Sequence, residues 1–218
     1  MNKQARTLHG LAEQARETGQ LELALLIIDK AMIEYQNEGD MTGMAEVLAS
    51  RSLTLRHLAD KTGEKAFRQL AVAEMRAAVE IAPGVMTYYN LAKVEEDLGN
   101  LDAALVAYKE AVRLMETNPP KEHNRPAVLC DIKAHMGVCE LRNGDKSAEA
   151  RIVSELEKLA DCDEPRYNKD VWISGGFLSL AELTGKQEYL EKAGVIIEAN
   201  PELTLRKGQL EKLKEELS

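Results

Sequence analysis

The sequence predicts an all-α fold, a solenoid of antiparallel helix pairs, and two observations lead to that prediction. Ala, Leu, Glu and Lys dominate the composition, and aromatic residues make up only 4%, too few for a large β-sandwich or barrel. A glycine followed by a polar residue also recurs between helix-like segments, at spacings of 44, 36, 45 and 41 residues: Gly19, Gly63, Gly99, Gly144 and Gly185. Evenly spread turns of one kind are typical of a helical solenoid, in which each hairpin buries its apolar face against its neighbours.

The length and charge of the chain limit its class. Its 218 residues, 44% of them hydrophobic, can bury a sizeable core, and we expect one repeat domain over residues 1–218. The net charge of -9 argues against a nucleic-acid partner held through its phosphates. The longest apolar run, residues 23–28, is far shorter than the roughly 18 residues that cross a bilayer, and the polar N-terminus lacks the core of a signal peptide. We therefore expect a cytoplasmic protein without membrane insertion, with three reduced thiols: Cys130, Cys139 and Cys162.

The repeating unit is clearest in residues 88–111, which read YYNLAKVEEDLGNLDAALVAYKEA. Gly99 ends one helical pattern and Leu101 starts another, as a left-handed glycine before a new helix requires. Ala92 and Ala104 stand where two helices must approach closely, between larger apolar residues. This stretch resembles the consensus of the tetratricopeptide (TPR) family: an aromatic residue, a leucine and a small residue, a Gly-Asn turn and spaced alanines.

The resemblance implies a right-handed superhelix of about five TPR-like hairpins with a C-terminal capping helix. We place the hairpins at about residues 4–38, 41–83, 85–117, 126–160 and 168–200, and the capping helix at about 203–217. In the first hairpin, the consensus places are taken by Leu8, Leu11, Ala12 and Ala15. The second hairpin departs from the consensus, because Arg51 or Arg56, depending on the register, falls where a leucine or a small residue is usual.

Three local features qualify this pattern. Residues 115–126 contain three prolines and Asn118, which forbid a continuous helix, so we expect a loop or flexing point there. Gly175-Gly176 lies inside a helical pattern and indicates close helix packing rather than a ligand site. Trp172 and Phe177 precede Gly185, and we expect Trp172 to lie in the core rather than to serve as a ligand platform.

No catalytic or metal-binding pattern in the sequence withstands inspection. There is no GxSxG, HExxH or phosphate-loop motif, so we predict a protein that is not an enzyme and needs no cofactor. The metal-like grouping comprises His123, Cys130, His135 and Cys139. Because Cys130 and Cys139 are nine residues apart, they fall on opposite faces of one helix, and we expect no metal there and a buried thiol at Cys139.

Two expectations concern residues 88–97. The acidic run Glu95-Glu96-Asp97 cannot converge on one cation, since consecutive helix residues point about 100° apart, and we interpret it as a solvated face. We expect Tyr88 to point into the core and Tyr89 to turn away from it.

In the TPR family, the first helices of successive repeats line a concave surface that binds an extended peptide or a partner helix. By the glycine register, the resemblance places these binding residues on three helices: Arg6, His9, Glu13 and Arg16 on one, Met86, Tyr89, Asn90, Lys93 and Glu96 on the next, and Asp131, His135 and Val138 on the last. The subset of the family that clamps a terminal carboxylate carries Lys, Arg and Asn. Because Glu13 and Asp131 would repel that carboxylate, we expect no such clamp here.

We predict a non-catalytic protein–protein interaction scaffold that binds a mixed-charge peptide or an amphipathic helix in this groove. The alternative is a self-assembling structural protein, a homo-oligomer that stacks or pairs through an exposed repeat face.

Overall fold

The computed structural model describes residues 3–121 and 124–217, and in these two ranges every regular element is an α-helix. The all-α prediction is therefore confirmed. The described residues form eleven helices: α1 Lys3–Glu17, α2 Leu21–Glu38, α3 Met41–Thr62, α4 Lys65–Ile81, α5 Val85–Leu98, α6 Leu101–Thr117, α7 Pro126–Arg142, α8 Ala148–Asp161, α9 Arg166–Thr184, α10 Gln187–Glu198 and α11 Thr204–Glu216. None of the helices in the described ranges is long and apolar enough to cross a membrane.

The recurrent glycines take the conformation that the sequence predicts. Gly19, Gly63, Gly99, Gly144 and Gly185 have φ between 67° and 97°, the left-handed region that favours glycine. At Gly99, the glycine N–H donates to the Glu96 carbonyl at 2.9 Å, and the next N–H, of Asn100, donates to the Glu95 carbonyl at 2.9 Å. These bonds satisfy carbonyls at the end of α5 and reverse the chain into α6.

The chain divides into two compact units, Met1–Leu114 and Met115–Ser218, which we call unit 1 and unit 2. Unit 1 contains α1 to α5 and most of α6. Unit 2 contains the end of α6 and α7 to α11. The division of the sequence into one domain of five hairpins stays a prediction.

Unit 1 is a series of antiparallel helix pairs. α1 pairs with α2 and α3 with α4, and α2 also packs on α3 and α4 on α5. The rings of Tyr89 on α5 and Tyr108 on α6 lie 6.1 Å apart, which joins the third pair. The small residues expected between helices, Ala12, Ala92 and Ala104, are fully buried. Short side chains here let helix backbones approach closely.

The register of α3 is settled by its closing glycine. Arg56 lies seven residues before Gly63, the place that Ala12 and Ala92 hold before their own glycines. Its Nε atom donates to Asp97 Oδ2 on α5 at 2.5 Å, so the arginine reaches across to the next hairpin. Arg56, and not Arg51, is therefore the residue that replaces the small consensus side chain.

Leu11 departs from the predicted packing, because 48% of it is exposed. Leu91, at the equivalent place in α5, packs against the apolar cluster of the preceding hairpin. α1 is the first of the described helices, so the described residues contain no helix in the position that the preceding hairpin takes beside Leu91.

Unit 2 is built around one continuous apolar cluster. α7 pairs with α8 and α9 with α10, α9 also contacts α7 and α8, and α11 packs on α9 and α10. Phe177 is buried in this cluster, and Trp172, which we expected in the core, is half-buried and packs against the cluster. Leu203, Leu210 and Leu213 at the C-terminal helix also enter the cluster, so α11 covers the last hairpin.

The paired glycines of α9 allow close packing. A Cβ atom at Gly176 would lie 2.6 Å from a methyl carbon of Leu156, and one at Gly175 would lie 2.6 Å from the guanidinium of Arg206. The buried Leu156 has little room to move, so close packing accounts for Gly176, whereas the guanidinium beside Gly175 is the end of a flexible side chain and can shift.

The predicted break at residues 115–126 is shorter in the structure. α6 continues through Thr117, and α7 begins at Pro126, where a proline at the first helical position costs no hydrogen bond. Met115 stays helical because it is buried. The metal-like residue His123 lies outside the described residues.

Candidate functional site

The surface of α1, α3 and α5 in unit 1 carries most of the predicted binding residues. α1 contacts α3 and α3 contacts α5 directly, so the first helices of three successive hairpins adjoin one another. Glu13, His57 and Lys93 occupy the same place in these helices, each six residues before its closing glycine. We call the surface defined by Glu13, Arg16, His57, Asn90 and Lys93 the first-helix face.

The residues on α1 are mostly exposed. Arg6 and Glu13 are exposed, while His9 and Arg16 are half-buried. His9 Nε2 lies 3.9 Å from Glu13 Oε1, and Arg16 Nη1 donates to Ser50 Oγ on α3 at 3.0 Å. Ser50 is buried, so this bond holds the Arg16 guanidinium over α3. α1 therefore offers both an acceptor and a fixed cation on the first-helix face.

His57 is a residue of this face that the sequence reading did not assign. It is half-buried on α3, and burial together with the charges of Arg16 and Arg56 lowers its pKa below the ordinary 6.5, with Asp60 opposing the shift. The ambiguity between Arg51 and Arg56 left α3 without a register. Counting back from Gly63, once that glycine is known to be left-handed, would have identified His57.

The orientation expected for the tyrosine pair on α5 is wrong. Tyr89 is only 4% exposed and packs against Tyr108, whereas Tyr88 is half-buried. The alanines between α5 and α6, Ala92 and Ala104, leave room for two rings in the hairpin interior. Tyr89 therefore contributes little surface of its own. Its ring supports Lys93, whose ammonium lies 4.9 Å from the ring centroid.

The prediction of a solvated face at Glu95-Glu96-Asp97 is also wrong. Glu95 is 1% exposed, and its Oε1 accepts from Arg76 Nε at 2.8 Å and Nη2 at 2.6 Å. Glu96 is 8% exposed and accepts from the Tyr108 hydroxyl at 2.8 Å. Each carboxylate is buried because a neighbouring helix supplies a donor, an arrangement that helix periodicity alone cannot reveal.

Two further predicted residues of α5, Met86 and Asn90, are half-buried at the surface, as is Lys93. In this hairpin they remain the candidates for contact with a ligand, while Tyr89 and Glu96 serve the contact between α5 and α6. Across the first-helix face, a carboxylate, an imidazole and an ammonium stand in one row. Such a row can exchange hydrogen bonds and charge contacts with a segment that carries both signs of charge.

The predicted residues on α7 belong to unit 2. Asp131 is 6% exposed, and its Oδ1 lies 3.8 Å from Nε2 of the half-buried His135. Val138 is buried at 4% exposure. Of these three, His135 presents the most surface.

The cysteines of unit 2 behave as packed thiols. Cys139 is fully buried, and burial raises the pKa of Cys130 to about 12, with Cys162 and Glu155 adding to the shift. A thiol that stays protonated to this degree is a poor nucleophile and metal ligand. In the described part of the chain, no three His, Cys, Asp or Glu residues are placed to hold a metal ion.

Comparison with solved structures identifies the architecture. A kinesin light chain of Podosopora anserina described as having nearly identical TPR-like repeats, itself a putative assignment, superposes with a TM-score of 0.56 and 14% identity, over 99% of this chain and 98% of that one. A substituted variant of that protein gives a TM-score of 0.57 and 15% identity, over 90% of this chain and 97% of that one. The chain has a TPR-like repeat fold.

This likeness concerns the fold, since the sequences are far apart. No protein-family model matches the chain. No curated protein matches it either. The TPR resemblance found in residues 88–111 is therefore confirmed at the level of architecture.

Proposed function

We propose that this protein is a non-catalytic interaction scaffold whose first-helix face binds an extended, mixed-charge segment of a protein partner. The observation that carries the proposal is the row of Glu13, His57 and Lys93, which stand at one register position in three adjoining helices. Side chains repeated in this way meet successive residues of an extended chain.

The binding mechanism rests on preorganisation. Arg16 is held by its bond to Ser50, and Lys93 by its contact with the Tyr89 ring, before any ligand arrives. Because these side chains are already ordered, the partner segment loses most of the conformational freedom on binding. A linear segment on so small a surface gives a modest affinity, on the order of micromolar.

Several features support a soluble protein partner in the cytoplasm. All three cysteines are free thiols, as is usual in a reducing compartment. The chain is acidic overall, which disfavours nucleic acid. The non-catalytic part of the proposal is supported by Cys130, because burial and a high pKa argue against a reactive thiol at that position.

The test compares two lysines that differ in their surface. Lys93→Glu reverses a charge on the first-helix face, and Lys109→Glu makes the same change at an exposed position on α6. Partners are isolated from an extract of the native cell with each variant, and the affinity of the recovered segment is measured by calorimetry. We expect about a tenfold loss with Lys93→Glu, or about 1.4 kcal/mol, and less than about a twofold change with Lys109→Glu. Equal affinity of the two variants for the recovered segment would show that the partner binds a surface other than the first-helix face.

A further inference from the structure

Helix α2 in unit 1 is apolar on two opposite faces. Its buried stripe comprises Leu21, Ala24, Ile28, Ala31 and Tyr35. On the other side, Leu23, Leu26 and Ile33 are exposed by 44%, 62% and 56%. At 100° per residue, the two stripes lie about 160° apart, so the packing of α2 against α1 and α3 does not cover the second one. A surface helix of a globular protein ordinarily has one apolar stripe and a polar opposite face.

The exposed stripe has the spacing of a helix-pairing seam. Leu23, Leu26, Lys30 and Ile33 follow at intervals of three, four and three residues, the a and d positions of a heptad. This spacing places the four side chains on one face of α2, against which the apolar face of a second helix can pack. We call these four residues the α2 stripe.

The stripe recurs only in part in α4, where the equivalent places hold Phe67, Leu70, Glu74 and Ala77. Of these, only Leu70 is a large exposed apolar residue, at 50%. In α6, the places equivalent to Leu23, Lys30 and Ile33 hold Ala103, Glu110 and Arg113. Val106 alone matches an apolar residue of the stripe, Leu26, and it is 70% exposed. The packing of the α5–α6 hairpin therefore does not require large apolar residues at these places.

The charged residues around the α2 stripe indicate which class of partner can bind it. Glu22 and Asp29 flank it on one side and Glu34 on the other, and Glu38 follows, while Lys30 is the one cation of α2. A second copy of α2 in antiparallel pairing would bring Asp29 against Asp29 of the partner copy, a like-charge contact. An anionic lipid surface would also be repelled by these carboxylates.

We infer that the α2 stripe docks a cationic amphipathic helix of a partner protein, with apolar residues at its a and d positions and Lys or Arg beside them. The partner's apolar side chains cover Leu23, Leu26 and Ile33, and its cations lie against Glu22, Asp29 and Glu34. Glu22 and Asp29 are already within 3.6 Å and 3.1 Å of Lys61 and Arg51, so part of their charge is shared within unit 1. Glu34 and Glu38 have no cation of unit 1 within salt-bridge distance among the described residues, so they are the stronger anchors.

The probe is a synthetic peptide of about three heptads, with Leu at a and d and Lys at e and g, titrated by fluorescence anisotropy. A second peptide has Glu in place of each Lys. The protein variants are Leu26→Asp and Ile33→Asp, whose side chains are exposed so that the fold is retained, and Val106→Asp as the matched control at the register position of Leu26. Circular dichroism checks the helix content of each variant.

We expect the lysine peptide to bind at micromolar concentration, with Leu26→Asp and Ile33→Asp each weakening it about tenfold and Val106→Asp changing it less than about twofold. The glutamate peptide should bind at least about tenfold more weakly than the lysine peptide. Because the stripe is separate from the first-helix face, Lys93→Glu should leave the affinity unchanged.

Several outcomes would overturn this inference. One is no binding of the lysine peptide up to about 100 μM, and another is equal affinity for the two peptides. A dimer seen by light scattering that Leu26→Asp dissociates would assign the stripe to a second copy of the chain instead. Retention of the protein on anionic vesicles through Leu26 would assign it to a membrane.

Discussion

The contact between α4 and α5 in unit 1 and the contact between α8 and α9 in unit 2 join equivalent helices by different means. Four residues before the closing glycine, α5 carries Glu95 and α9 carries Ala181, and both are buried. Glu95 is held by Arg76 of the preceding hairpin. Nearby in α9, Gly176 lets the backbone approach Leu156 of α8.

Helices of neighbouring TPR-like hairpins can therefore be joined by a charged pair or by close apolar packing. In unit 1, Arg76 donates to the buried Glu95 carboxylate, and its exposed guanidinium remains hydrated. In unit 2, the absence of a side chain at Gly176 lets α9 lie against Leu156. The left-handed glycine turns are common to both units, so they, rather than the contact residues, set the hairpin geometry.

The largest effect should come from filling the close contact in unit 2. Gly176→Val places carbon atoms inside the space of Leu156, which is 1% exposed, and we expect a loss of about 3 kcal/mol in the free energy of unfolding, measured by urea denaturation. Gly208→Val on α11 is the control, because a Cβ there meets no atom within 4 Å, and it should change stability by less than about 0.5 kcal/mol. Equal effects would show that α8 and α9 do not rely on close approach.

Breaking the charged contact in unit 1 should cost less and depend on which partner is removed. Arg76→Ala leaves the Glu95 carboxylate buried, and we expect it to lower the free energy of unfolding by about 2 kcal/mol. Glu95→Gln leaves a guanidinium that is 58% exposed and can be hydrated, so its cost should be only about 1 kcal/mol. The reverse order would mean that Arg76 contributes mainly through its own packing.

The apolar cluster of unit 2, in which Cys130 on α7 is buried, also predicts slow thiol chemistry. With its pKa raised to about 12, Cys130 should be alkylated by iodoacetamide at pH 8 at least about tenfold more slowly than the partly exposed Cys162, with mass spectrometry locating the adducts. In urea the two rates should converge. Because this pKa lies above the unfolded value of 9.0, the contribution of Cys130 to stability is complete below pH 9.0 and is lost as pH rises toward about 12.

The smallest effect concerns His57 in unit 1. Its pKa is lowered in the folded state, so the unfolded chain binds the proton more tightly, and the contribution of His57 to stability is lost as pH falls below 6.5. An NMR titration should place the His57 pKa below 6.5, and Arg16→Gln should raise it by removing a nearby positive charge. An unchanged pKa in Arg16→Gln would leave burial and Arg56 as the cause.

Residue spacing was sufficient for the turns and the helices but not for every side chain. The apolar period after the last hairpin predicted a capping helix at about residues 203–217, and α11 runs from Thr204 to Glu216, because such signals act within a few residues of the chain. The same reasoning misplaced Tyr89, Glu95 and Glu96, whose environments are set by α4 and α6. It also left His57 unassigned until the register of α3 was fixed.

A series of helical hairpins closed by left-handed glycines could be predicted from the order of residues alone, since backbone conformation at a turn is a local property of the residues there. The packing of the helices was needed to show which polar side chains are buried, which face carries the row of Glu13, His57 and Lys93, and that α2 keeps a second apolar stripe exposed. Burial depends on the atoms that a neighbouring helix supplies, and residues far apart in the sequence, such as Arg76 and Glu95, provide them.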